Sequence, residues 1–208
     1  MNIVMRGGGL SDRHYIEEKL MTKDYSLDKM PPNKILRQKY ACDDEWTSEF
    51  LIRCPVGHVA THWDDQPFIT PLLYWYDPSK RLIYFHTNIQ GRLRANCERD
   101  NKVCFEASEM GKIFPSNIAS EFSMQYESAV VFGKMNLVED QAEQVYALYG
   151  LIRKYFPDMK PGEDYRQITE TELARTAIFA ISIESWSGKR NWHEKATISP
   201  DWKPLDGD

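Results

Sequence analysis

The residues best suited to chemistry lie where a predicted strand runs into a polar, basic turn. Residues 83–92 read IYFHTNIQGR, so the stretch begins apolar and ends with a hydroxyl, amides and a guanidinium. A short helix is predicted directly after it, and main-chain N–H groups at a helix start favour a phosphate or carboxylate, as a guanidinium does. An ordinary turn with Arg92 in solvent explains the same residues. On residue types alone the ordinary turn is the simpler explanation, and an anion site at Thr87, Asn88, Gly91 and Arg92 is the functional alternative, with the anion unspecified.

His86, in the same stretch, is the candidate catalytic residue. An imidazole near neutral pH can give or take a proton, or hydrogen-bond a carboxylate or nitro group. A histidine whose nitrogens are satisfied by the backbone is the competing interpretation. His58 and His62 share one face of another predicted strand, but no third ligand lies nearby in the sequence, so no metal site is predicted.

Composition excludes several classes of protein. The chain has 208 residues, 42% of them hydrophobic, which suffices for one compact domain with a real core. The net charge of −5 argues against non-specific binding to nucleic acid or an anionic membrane, and no apolar run reaches the ~20 residues of a membrane span.

Six Trp and eleven Tyr suit a site that packs against a flat ring. The four cysteines form no CxxC pair, and we expect reduced thiols in a cytoplasmic protein.

The pattern along the chain predicts a mainly β fold. Short alternating strands are separated by hairpin turns, whereas a parallel α/β sheet would need a helix between most strands. The predicted strands are 57–62, 67–76, 81–87, 102–109, 126–136 and 176–184, with a bulge at Gly133. The predicted helices are 43–53, 93–100 and 138–156, and 12–23 can form another; a loop is predicted at 110–119. We divide the chain into an N-terminal arm (1–42), a barrel domain (43–190) and a C-terminal tail (191–208).

Five pieces of sequence, in a fixed order, carry a resemblance to a known family. They are residues 57–61, residues 67–76, residues 84–88 with Gly91 and Arg92, residues 101–106, and residues 126–134 with 184–189. Together they resemble the FMN-binding split-barrel superfamily, which includes pyridoxamine 5′-phosphate oxidase, and most closely its nitroimidazole-resistance branch. The resemblance spans residues 43–190 and implies a six-stranded antiparallel split β-barrel with peripheral helices.

The resemblance also implies a cofactor and a set of contacts. Members of the family form homodimers with FMN at the interface. The implied cofactor-binding residues are Thr61, Pro71, Leu72, His86, Thr87, Asn88, Gly91, Arg92, Gln125, Ser128, Trp186 and Lys189. Taken alone, these residues are equally consistent with structural roles. Pro71 can limit pairing in an edge strand, and Gln125 and Ser128 can belong to an ordinary half-buried strand. Trp186 can lie in a dimer interface beside a solvated Lys189.

The implied function is a flavin-dependent oxidoreductase with a small-molecule substrate or electron acceptor, such as a nitro-aromatic compound. The same residues leave open a non-catalytic FMN-binding protein and the same barrel holding haem or a deazaflavin. Two departures from the family matter. Arg92 stands where the family often has Lys, which keeps the charge. The long basic turn and Arg-rich C-terminus of the pyridoxamine-phosphate oxidases are absent, so vitamin B6 oxidation is not expected.

Overall fold

The computed structural model describes residues 24–205. Residues 35–205 belong to one compact unit, and residues 24–34 belong to a separate one. The helix predicted at 12–23 lies outside the described residues. No helix in the described part of the chain has both the length and the apolar character needed to cross a membrane.

Within residues 24–205, eight antiparallel strands form one sheet. The strands are β1 (Ala41–Cys42), β2 (Gly57–Trp63), β3 (Gln66–Leu72), β4 (Trp75–Asp77), β5 (Leu82–Asn88), β6 (Lys102–Phe114), β7 (Ser123–Leu137) and β8 (Thr176–Asn191). Their order is β3-β2-β6-β7-β8-β5-β4, and β1 pairs with β8. The helices are α1 (Asp44–Arg53), α2 (Arg92–Arg99), α3 (Gln141–Tyr155) and α4 (Glu170–Leu173), and a short 3₁₀ turn spans Gln38–Tyr40.

The antiparallel sheet with few helices confirms the predicted fold class, but the predicted count of six strands is wrong. The strand predicted at 67–76 breaks into β3 and β4, which lie at opposite edges of the sheet. The break occurs because the main chain of Tyr74 bonds to the hydroxyl of Tyr155 through both its N–H and its carbonyl, at 2.9 Å each. Those groups are therefore unavailable to a neighbouring strand. The short β1 supplies the other additional strand.

Several strand ends also differ from the prediction. The predicted loop at 110–119 is wrong in its first half, since β6 continues to Phe114 through a register shift between Met110 and Ile113. Strand β8 continues past residue 184 to Asn191 because its later residues pair with β7. The bulge at Gly133 is confirmed by a shift in the β7–β8 register, where an added Cβ would lie 2.1 Å from the Ser182 carbonyl oxygen.

The main core lies on one face of the sheet, against α1. Phe50 of α1 packs with alternate side chains of the strands, and Val59, Phe85, Phe105 and Phe179 are all fully buried. Burial of side chains of this size contributes most of the favourable free energy of folding. The same alternation aims the intervening residues at the opposite face.

Helix α3 covers part of that opposite face. Tyr84 and Ile178 form a second, smaller core there with Ala147 of the helix. The ring of Trp75 stacks on Tyr84 at 5.5 Å and lies against Gly150 of α3, where an added Cβ would be 2.0 Å from the indole. Glycine at this position therefore lets the helix approach the sheet.

Candidate functional site

The polar turn after β5 is ordered by its own side chains. Asn88 Oδ1 accepts a hydrogen bond from the main-chain N–H of Gln90 at 3.1 Å. The Thr87 hydroxyl donates to the carbonyl of Asn88 at 3.0 Å, and Arg94 Nη1 donates to the carbonyl of Ile89 at 3.0 Å. An Asx-type turn of this kind fixes where the following helix begins.

Helix α2 begins differently from the other three helices of the described chain. Asp43, Asp140 and Thr169 each accept a hydrogen bond from a first-turn N–H of α1, α3 and α4. Helix α2 starts at Arg92 after Gly91, and no side chain caps it. Its first-turn N–H groups therefore remain available to an external acceptor.

Arg92 lies next to these free N–H groups. Its guanidinium rests on the ring of Phe68 at 4.8 Å, and its side chain reaches solvent. Across residues 24–205, no carboxylate pairs with Arg92, whereas the neighbouring Arg94 pairs with Glu98 at 2.8 Å. An unpaired guanidinium beside free helix amides can bind a phosphate with charge-assisted hydrogen bonds.

A buried hydrogen bond attaches α2 to the sheet. Asn96 is fully buried and donates from Nδ2 to the hydroxyl of Thr61 at 2.9 Å. Thr61 is opposite Phe68 in the β2–β3 pair, so the same region of sheet supports both Asn96 and Arg92. Asn96 was not predicted as a site residue. The sequence did contain a signal for this role, because Asn96 is the one polar residue on the apolar face of the helix, beside Leu93.

A second group of predicted residues lies on a surface that we call the open sheet face. It is formed by outward-facing side chains of β2, β6, β7 and β8 that α1 does not cover: His58, Ala60, Cys104, Glu106, Val130, Phe132, Ser185 and Ser187. Ser128 pairs directly with Lys189 across β7 and β8 on this face, and Pro71 pairs with His58 at its edge. These side chains are only partly buried or exposed.

The polar side-chain atoms of two predicted residues form hydrogen bonds within the protein. Gln125 is buried, donates from Nε2 to the carbonyl of His193 at 2.8 Å, and accepts from the N–H of Lys112 at 3.1 Å. Trp186 is 8% exposed and belongs to the core, where its indole N–H donates to Asp44 Oδ1 at 2.6 Å.

His86 faces the opposite side of the sheet from Thr87. Successive strand residues alternate, and His86 shares the face of Tyr84 that α3 covers. It lines a cleft of 410 Å³ whose other walls are Leu148, Leu151, Ile152, Tyr165, Arg166, Ile168 and Glu172. The imidazole still reaches solvent, but the surrounding protein lowers the pKa of His86 below its usual value by desolvation.

The structure therefore separates the predicted site residues into groups. The turn group is Thr61, Thr87, Asn88, Gly91 and Arg92. The group on the open sheet face is Pro71, Ser128 and Lys189. Leu72, Gln125 and Trp186 make contacts inside the protein, and His86 lies alone beneath α3. Within the described residues, no three His, Cys, Asp or Glu side chains are arranged to hold a metal ion.

Comparison with known proteins identifies the family. The model of the pyridoxamine 5′-phosphate oxidase family matches residues 43–190. The chain belongs to this family. The matched residues run from the cap of α1 to the penultimate residue of β8, so they contain both the turn group and the open sheet face. No curated protein matches the chain.

Solved structures share the fold at low sequence identity. The flavocytochrome Anf3 from Azotobacter vinelandii is 23% identical, with a TM-score of 0.72 over 83% of this chain and 81% of that one. A FAD and heme binding protein from Mycobacterium smegmatis is 22% identical, with a TM-score of 0.65 over 74% and 75%. A putative 5-nitroimidazole antibiotic resistance protein from Bacteroides thetaiotaomicron is 21% identical, with a TM-score of 0.60 over 72% and 86%. The family match thus comes from the sequence, and these solved structures show a shared fold.

Proposed function

We propose that this chain is an FMN-dependent oxidoreductase that works as a homodimer and reduces a nitro-aromatic compound or a similarly flat acceptor. The observation that carries the proposal is the uncapped start of α2 beside the unpaired Arg92. A dianionic phosphate would satisfy both the free N–H groups and the guanidinium.

The residues of the turn group would hold and orient the cofactor. Arg92 and the α2 amides would bind the phosphate, and the Asn88 turn would keep those amides in place. Asn96 would act indirectly, because its hydrogen bond to Thr61 fixes α2 against the sheet. When bound, FMN supplies the electron-transfer chemistry, and the protein supplies position and electrostatics.

The open sheet face supports a homodimer. Val130 and Phe132 lie on it only partly buried, and Ile69 at its edge is 71% exposed. Ser128 and Lys189 lie on this face, away from the turn group. In such a dimer Ser128 and Lys189 of each copy would lie at the interface, and we expect each flavin site to take residues from both chains.

The cleft at His86 favours a second candidate, a haem site. Two similar structures are a flavocytochrome and a FAD and heme binding protein. The cleft of 410 Å³ has apolar walls from α3, and Arg166 at its rim is bonded to both oxygens of Glu172 at 2.9 Å. The lowered pKa keeps His86 neutral at pH 7, as an iron ligand requires. A non-catalytic flavin protein and a deazaflavin protein are also compatible with the fold, but no contact in the described chain favours either one.

A single-turnover experiment tests the enzymatic part of the proposal. The protein is loaded with FMN, the flavin is reduced with dithionite without oxygen, and a nitro-aromatic acceptor is added. We expect the bound flavin to be reoxidised faster than free reduced FMN at the same concentration. Reoxidation no faster than that of free flavin would indicate a binding protein without this activity.

A further inference from the structure

The hairpin formed by β2 and β3 contacts three side chains on one face of α2. Arg92, Asn96 and Arg99 are spaced at i, i+4 and i+7, so they lie in a row along the helix. Asn96, at the centre of the row, is fully buried and donates to the hydroxyl of Thr61. The two arginines, at the ends of the row, each lie over an aromatic ring of the hairpin. The hairpin therefore fixes α2 at its start, its middle and its end.

The two arginine–ring contacts are similar in distance but differ in charge pairing. Arg92 Cζ lies 4.8 Å from the centroid of the Phe68 ring, and Arg99 Cζ lies 4.6 Å from that of Trp63. Arg99 also donates to a carboxylate oxygen of Asp64. Arg92 has no such partner anywhere in residues 24–205. A guanidinium that a ring holds in place, with no carboxylate to neutralise it, suits an external anion.

The start of α2 leaves room for that anion beside Arg92. Apart from its chain neighbours, a Cβ added at Gly91 would meet no heavy atom within 4 Å. The Arg92 side chain is itself exposed, so a ligand can approach its N–H donors from solvent. The open space and the unneutralised charge therefore lie next to each other.

The position of the Phe68 ring is set by the sheet. Phe68 is opposite Thr61 in the β2–β3 register, and its strand neighbours Pro67 and Ile69 point to the other face. The ring is partly buried, whereas those two neighbours are exposed. The side chain that meets Arg92 is therefore the one that the strand turns towards α2.

Contact with this ring changes what it costs Arg92 to bind an anion. An arginine at an exposed helix start has many rotamers, and the selection of one of them on binding costs free energy. The ring favours the rotamers that keep the guanidinium over Phe68. The N–H donors lie in the guanidinium plane and point outward around its rim, so they stay available to a phosphate.

We infer that Phe68 is a positioning residue for the anion site, because its ring holds the Arg92 guanidinium in the orientation that binds a phosphate. Phe68 would act through Arg92 and would not contact the flavin. The identity of the ligand, FMN, rests on the proposed function, but the contact between ring and guanidinium does not require a flavin.

The first experiment uses inorganic phosphate as the probe and needs no flavin. Binding is followed by NMR through the Nε–Hε signal of Arg92, which is assigned by its loss in Arg92→Ala. Phe68→Leu removes the ring but stays apolar, and Phe68→Tyr keeps a ring. The matched control, Trp63→Leu, removes the same kind of contact from Arg99 at the other end of α2.

We expect the wild type, Phe68→Tyr and Trp63→Leu to bind phosphate with similar affinity. Phe68→Leu should bind it about three- to tenfold more weakly, as the loss of one cation–π contact predicts. Equal weakening in Phe68→Leu and Trp63→Leu would indicate a general displacement of the helix and would overturn the inference. Phosphate affinity unchanged in Phe68→Leu would also overturn it.

The second experiment compares FMN with riboflavin, which has the same ring system and ribityl chain but no phosphate. Phe68→Leu should lower the affinity for FMN by the same factor as for inorganic phosphate and leave the affinity for riboflavin within about twofold. An equal loss for both flavins would mean that Phe68 contacts the flavin or shapes its pocket, and the positioning role would be wrong.

The results separate this inference from the proposed function. Phosphate binding that depends on Phe68, in a protein that takes up neither flavin, would refute the proposed function and leave the inference standing. FMN binding that weakens in Arg92→Ala but not in Phe68→Leu would support the function and overturn the inference. An Arg92 signal that does not respond to phosphate would overturn the inference together with the phosphate assignment.

Discussion

Arg92 and the free amides of α2 carry the phosphate assignment, so their removal should weaken the cofactor directly. We expect Arg92→Ala to reduce FMN affinity by about 10- to 100-fold, the range for one or two lost charge-assisted bonds. Arg99→Ala removes the same charge at the other end of the same helix, where Arg99 pairs with Asp64, and is the control. Fluorescence titration of FMN measures both. Equal affinities for the two variants would remove the phosphate assignment.

His86 is expected to act without holding FMN, because it faces the α3 side of the sheet. The lowered pKa predicts an NMR titration midpoint below 6.5, the reference value, so the imidazole is neutral at pH 7. We expect His86→Ala to retain FMN affinity within about twofold, since a residue outside the phosphate contacts contributes little binding free energy. A catalytic role predicts slower turnover in the same variant. Full turnover would remove that role.

The contact between α3 and the sheet depends on Gly150. Gly to Ala in a helix normally stabilises it by about 1 kcal/mol, but here the new Cβ would meet Trp75 at 2.0 Å. We expect Gly150→Ala to lower the free energy of unfolding by about 1–3 kcal/mol, as overpacking does. In a Trp75→Ala background the same change should not lower the free energy of unfolding. Urea denaturation measures both, and a loss that persists without Trp75 would contradict this explanation.

Lys154 attaches α3 to the end of α1, where its ammonium donates to the carbonyls of Leu51 and Cys54 at 3.2 and 2.8 Å. Burial lowers the pKa of Lys154 to about 8. Because this is below the unfolded value, the folded state binds fewer protons between pH 8 and about 10.5, and this group's contribution to stability rises with pH there. The wild type should therefore gain stability relative to Lys154→Met between pH 7.5 and 9.5 in urea denaturation. A pH-independent difference would contradict the lowered pKa.

Elements defined by local signals could be predicted from the sequence. The Asp43 cap begins α1, alternation gives β2 and β5, and Gly133 marks the bulge. The break after Leu72 was not predictable, because the nearby Pro71 does not end the strand: β3 pairs with β2 through Pro71 and on to Leu72. Its cause is the hydroxyl of Tyr155, which is distant along the chain.

The candidate site shows the same limit. Most of the turn group (Thr87, Asn88, Gly91 and Arg92) lies in one short stretch of sequence, so these residues were predicted together, whereas Thr61 joins them through Asn96 only in the folded chain. The roles of Gln125 and Trp186 depend on His193 and Asp44, and only the folded chain shows those pairings. Side chains occupied by distant partners cannot be distinguished from free ones in a sequence.

At the scale of the whole molecule, the open sheet face should join two copies. We expect Val130→Lys to convert a dimer into a monomer in sedimentation equilibrium, because a charge would be buried at the centre of the interface. Phe156→Lys, at a side chain that is 57% exposed beyond α3, is the control and should remain dimeric. The monomer should also bind FMN more weakly if each site takes residues from both chains. A wild-type monomer that binds FMN fully would contradict this arrangement.

The flavin assignment is decided by a visible absorption spectrum of the purified protein, followed by mass spectrometry of whatever heating releases. We expect a yellow protein with the absorption bands of an oxidised flavin, and release of FMN. A colourless protein that takes up no added FMN would contradict the assignment.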